Sequence, residues 1–87
     1  MNEQDIRRKR AYYRACHRGT KEMDILLGQF AQTHLPSMSE ADLTCFEEVL
    51  SLPDPVLDRM IRGSDRPGDG VADMIERVRR HHGLNAS

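Results

Sequence analysis

Apolar residues recur at intervals of three and four along most of this chain, and the longest such run defines its centre. Between residues 20 and 35, Met23, Leu26, Leu27, Phe30 and Ala31 fall on one face of a helix. Thr20 stands where an N-cap is needed, and Glu22 and Asp24 lie in the opening turn, where acids complement the helix dipole. Leu35-Pro36 predicts the end, because a residue before proline is pushed away from helical geometry. Upstream, residues 5–18 predict a first helix with Asp5 as its cap. Ile6, Tyr13 and Cys16, with Tyr12 nearby, form its apolar stripe. Gly19 predicts its stop, in the left-handed conformation that glycine tolerates. Downstream, Ser39 opens a helix over 40–51 with Leu43, Phe46, Val49 and Leu50 inward. Asp42, three residues after Ser39, makes a weak capping box. Pro53-Asp54-Pro55 then stops one helix and starts the next, with Asp54 as cap and Pro55 in the first position. Val56, Leu57, Met60 and Ile61 face inward and Gly63 closes this fourth helix. After a turn-rich connection over 64–69, Val71, Met74, Ile75 and Val78 pattern a fifth helix running to about His82, with Gly83 as its stop.

No stretch alternates with period two long enough to make a strand. The expectation is an all-α protein, a compact bundle of five short helices forming a single domain over 1–83, with a mobile tail over 84–87. At 87 residues such a domain buries only ~60–65% of its unfolded surface. It has little internal volume for enclosing a cofactor, so composition favours a surface that binds over a cleft that catalyses.

Charge sharpens that picture. The net charge is −1, so no global field attracts nucleic acid. The distribution is uneven, however. Arg7, Arg8, Lys9, Arg10, Arg14 and Arg18 make the first helix basic, while Glu40, Asp42, Glu47, Glu48, Asp54 and Asp58 make the middle acidic. The basic run has three readings: a solvated face, a contact with an acidic partner, or a phosphate-binding strip. Cys16 and Cys45 have no metal-ligand spacing and sit at apolar helix positions, which predicts buried reduced thiols. His17, His34, His81 and His82 include no pair at i, i+3 or i+4, so no metal site is expected. Cys16 and His17 are helix neighbours that do not face each other, which argues against a catalytic thiol. No apolar run is long enough for a membrane span. Glu3 and Asp5 argue against an organelle-targeting presequence, which leaves the cytoplasm by default.

What remains is the corner Arg18-Gly19-Thr20-Lys21-Glu22-Met23-Asp24. Capping and dipole explain Gly19, Thr20, Glu22 and Asp24 as an ordinary helix joint. Arg18 is favourable at a helix end but is less fully explained. Spacing alone therefore allows either a plain joint or a partner-facing arginine with two acids.

Arg18-Gly19-x-x-Glu22-x-Asp24 resembles the RGxxExD signature of the succinate dehydrogenase assembly factor family, the small flavinylation factors of bacteria and mitochondria. The resemblance extends through Arg10-Ala11-Tyr12-Tyr13-Arg14-Ala15-Cys16-His17, Leu26-Leu27, Pro53-Asp54-Pro55-Val56-Leu57, Met60-Ile61 and Gly63, roughly residues 7–80. Met60 and Arg14 depart from it, standing where many or some members carry tryptophan. The resemblance implies a five-helix protein that is not an enzyme and holds no cofactor of its own. It implies a role in attaching FAD covalently to the flavoprotein subunit of succinate dehydrogenase, and in some bacteria of fumarate reductase. The bond joins the flavin 8α-methyl carbon to a histidine of the flavoprotein. Arg18, Gly19, Glu22 and Asp24 are then partner-binding residues, with Arg10, Arg14 and His17 as rim contacts and Tyr13 either rim or core. The implied protein is a monomer when free and touches neither nucleic acid nor membrane. The alternative reading is a small antitoxin-like or nucleic-acid-binding regulator that uses the basic first helix.

Overall fold

The computed structural model describes residues 2–64, 68 and 70–84. Five α-helices follow one another: α1 (Glu3–Cys16), α2 (Lys21–His34), α3 (Glu40–Leu50), α4 (Asp54–Arg62) and α5 (Ala72–His81). A short 3-10 turn, Leu35–Ser37, joins α2 to α3, and no strand occurs among the described residues. The Cα radius of gyration is 12.1 Å, close to the ~12 Å expected of a globule of this length. Most of the connection over 64–69 and the tail beyond Leu84 lie outside the described residues.

One core runs through all five helices. Phe30 and Phe46 sit at its centre with ring centroids 5.7 Å apart. Around them pack Leu27, Leu43, Leu50, Leu57, Ile61 and Ile75, all fully or nearly fully buried. The inward faces of α2 to α5 are those the spacing predicts. Leu26, Val56, Met60 and Val71 lie at the margin, half-buried.

The first helix differs from expectation. It starts earlier, because Asn2 rather than Asp5 is the cap: the Asn2 side chain accepts from the Asp5 amide at 2.8 Å. Its buried face is Ala11 and Ala15, whereas Ile6, Tyr12 and Tyr13 are exposed. The physical reason is close packing. A Cβ placed on Gly28 of α2 would stand 3.1 Å from Cys16 Sγ, so small residues let α1 and α2 approach and the aromatic side chains are left outside. Cys16 and Cys45 are half-buried free thiols, not fully buried ones. Tyr12 hydrogen-bonds to Cys16, which pushes its phenol above the usual tyrosine range.

The caps follow the sequence at Thr20, whose hydroxyl accepts from the Met23 amide at 3.2 Å, and at Ser39, which accepts from Asp42 at 3.1 Å. Gly63 and Gly83 take the left-handed conformation at φ 86° and 70°. Leu35, before Pro36, remains helical (φ −58°, ψ −42°) because the chain tightens into the 3-10 turn instead of breaking.

Candidate functional site

The Arg18–Asp24 corner is built by elements far apart in sequence. Helix α1 stops at Cys16, and His17 closes it at φ −128° and ψ 60°. Arg18 then turns inward, with its side chain only 10% exposed. Its Nε donates to Asp54 Oδ1 at 2.8 Å, Nη1 to the Leu50 carbonyl at 2.6 Å, and Nη2 to the Leu52 carbonyl at 2.7 Å. Leu50 is the last residue of α3, whose terminal carbonyls lack helical donors, and Asp54 is the first residue of α4. A cation at one helix C-terminus and a carboxylate at the next N-terminus suit both dipoles. One guanidinium thus fastens the α1–α2 corner to the α3–α4 joint.

This corrects four expectations. Arg18 does not point outward; its fork is occupied by its own chain. Asp54 does not cap α4: Pro53 holds the cap position without a side-chain bond. The Asp54 carboxylate instead accepts from Arg18 and, at 2.5 Å, from the Gly19 amide. Gly19 is not a left-handed cap, since only Gly63 and Gly83 have positive φ among the described residues. Glycine is needed there for close approach: a Cβ would lie 2.6 Å from Asp54 Oδ2, an oxygen already held by the Gly19 amide. Asp24 also turns inward, its carboxylate accepting from the Arg18 amide.

Glu22 is the corner's outward carboxylate. Its side chain is 60% exposed and pairs with Arg62, which also reaches Asp58 at 2.8 Å. Gly19, Thr20, Glu22, Asp54 and Asp58 share an open recess of about 540 Å³. Its carboxylates already carry cations of this chain, Asp54 on Arg18 and both Glu22 and Asp58 on Arg62.

Arg10, Arg14 and His17 lie on the exposed face of α1 leading into this corner. His17 stacks on Tyr13 with centroids 4.0 Å apart and an 18° angle between planes. Its Nδ1 lies 2.8 Å from the Tyr13 carbonyl. Tyr13, left open between rim and core, is outside. A second groove, about 760 Å³, runs between α1 and the end of α2. Tyr12, Tyr13 and Cys16 line one side and Ala31, Leu35 and Pro36 the other. Sequence reasoning missed both this groove and the structural role of Asp54. The only available signal was that Asp54, between two prolines, already had a sufficient local explanation.

The structure also joins two histidines that sequence spacing kept apart. His34 Nε2 and His81 Nδ1 lie 3.2 Å from each other, linking the ends of α2 and α5. Burial, then the neighbouring His82 and His34, push the His81 pKa below the usual histidine value. A histidine depressed in the folded state takes up its proton more readily when unfolded. Its stabilising contribution is therefore present above the unfolded value of ~6.5 and lost as pH falls through the folded one. Replacing His81 with Gln is expected to flatten the decline in melting temperature below pH 6.5, measured by thermal circular dichroism. Among the described residues no group of three or more His, Cys, Asp or Glu is placed to hold a metal. No helix there is long and apolar enough to cross a membrane.

Comparison with known proteins places this architecture. A family model described as the flavinator of succinate dehydrogenase matches residues 9–82. The chain is 38% identical over 73 residues to a protein of Acetobacter pasteurianus named FAD assembly factor SdhE, covering 83% of this chain and 67% of that one. It is 35% identical over 65 residues to a protein of the same name from Haemophilus ducreyi, covering 74% and 79% respectively. It is 27% identical over 82 residues to a Dictyostelium discoideum protein named succinate dehydrogenase assembly factor 2, mitochondrial, covering 93% of this chain and 58% of that one. No solved structure matches. On a family match spanning almost all of its helical core, the chain belongs to the succinate dehydrogenase flavinator family.

Proposed function

We propose that this protein promotes covalent attachment of FAD to the flavoprotein subunit of succinate dehydrogenase in the cytoplasm, and of fumarate reductase where that enzyme is present. It does so by docking, without a cofactor or catalytic cycle of its own. The observation that carries the reading, beside family membership, is the division of labour at the corner. Arg18, Asp24 and Asp54 lock the joint from within, which leaves Glu22 and the Gly19 backbone facing outward on a fixed frame. Arg10, Arg14 and His17 extend that surface along α1.

The chemistry belongs to the flavoprotein, which supplies the acceptor histidine and binds FAD. Attachment requires the two to be held close and aligned, and positioning alone can lower a barrier by several kcal/mol, about 7–11 in the best-aligned cases. Glu22 accepts from a cation or backbone N–H groups of the partner, and glycine at position 19 lets the corner close against Asp54, which fixes the surface that Glu22 presents. Arg18 acts as a positioning residue: it holds the corner's shape without touching the partner.

The test is a pull-down from the native host, followed by ultraviolet fluorescence of the denatured partner band. The expected result is a flavoprotein that co-purifies with this chain and that loses covalent flavin when the chain's gene is deleted. Normal flavin loading in the deletion strain would refute the proposal.

A further inference from the structure

Arg10 and Arg14 stand one turn apart on the exposed face of α1. Among the described residues, Arg7, Arg18, Arg62, Arg77, Arg79 and Arg80 each have a carboxylate of this chain within 4 Å. Arg10 and Arg14 have none. Like charges at this helical spacing repel each other, and among the described residues no carboxylate pairs with either. Beside them Tyr13 is 63% exposed and Tyr12 41%. Both line the 760 Å³ groove, over the buried Ala31 and Leu35. Tyr13 is held flat against His17, so a partner would gain aromatic contact with little further ordering. Exposed tyrosine lining an apolar cleft, with Arg10 and Arg14 on the same helix outside the cleft's lining, supplies the residue types that dominate binding energy at interfaces.

We infer that this face receives an acidic segment of the flavoprotein carrying an apolar or aromatic anchor. The anchor seats in the groove against Tyr12 and Tyr13, and the flanking carboxylates pair with Arg10 and Arg14, whose forked guanidinium groups suit bidentate contact. The inference rests on the docking role proposed above and assigns the partner's chemistry. Charge complementarity selects the occupant.

The experiment uses the full chain and the purified apo-flavoprotein of the host's succinate dehydrogenase, with titration calorimetry at low and high salt. The variants are the double change Arg10→Glu with Arg14→Glu, and separately Tyr13→Ala. These side chains are exposed, so melting curves should match the wild type. Binding of each variant is expected to weaken at least tenfold at low salt, and the double variant should lose most of the salt dependence. Wild-type affinity in both variants at both salts, with Glu22→Ala still weakened, would overturn the inference and leave the docking role intact. Failure of the wild-type chain to bind the flavoprotein would remove both. Tighter binding of the wild type to duplex DNA than to the flavoprotein, lost in the double variant, would also overturn the inference, in favour of a phosphate-binding face.

Discussion

Arg18→Ala is expected to remove about 3–5 kcal/mol of folding stability, the cost of breaking a largely buried ion pair from one side. The change leaves the Asp54 carboxylate, 17% exposed, without its cation. It also leaves the Leu50 and Leu52 carbonyls without their donors. Small domains hold only about 5–15 kcal/mol in all, and for this length the loss corresponds to a fall in melting temperature of roughly 12–40 °C. Arg18→Lys should recover only part of it, since one ammonium cannot span three acceptors arranged around a planar fork. Thermal circular dichroism reads both variants. A partner-facing arginine would give the opposite pattern, with wild-type melting and weakened binding.

Glu22→Ala should behave in the reverse way. Its carboxylate is exposed, and its pairing with Arg62 is a surface ion pair, of the kind that adds little to stability. Its melting temperature should stay within a few degrees of wild type, as for most surface substitutions. Affinity for the flavoprotein, however, should fall about tenfold or more, the effect of deleting one charge-assisted contact at a docking surface. The two residues lie four positions apart, yet one supports the frame and the other is the proposed contact. Titration calorimetry alongside melting curves separates the roles.

The helices whose inward faces are made of large side chains were legible from spacing. Leu27 and Phe30, Leu43 and Phe46, and Leu57 and Ile61 all point where periodicity places them. The first helix was not, because Ala11 and Ala15 carry a weak hydrophobic signal while Tyr12 and Tyr13 carry a strong one. Only the matching small residue Gly28 across the interface decides which side turns in. Arg18 stood out in the sequence, but its direction could not be read locally, since its partner Asp54 lies 36 positions away. Gly19 shows the same limit: a turn glycine and a close-approach glycine look alike until the neighbouring carboxylate is in place. The His34–His81 contact, spanning 47 positions, is likewise a product of packing.

The most direct measurement is the rate at which covalent flavin appears on purified apo-flavoprotein given free FAD, followed by fluorescence of the denatured protein band. It is run without this chain, with the wild type, and with folded Glu22→Ala. A marked acceleration by the wild type, largely lost in Glu22→Ala, is the predicted result. Equal rates in all three reactions would contradict the account.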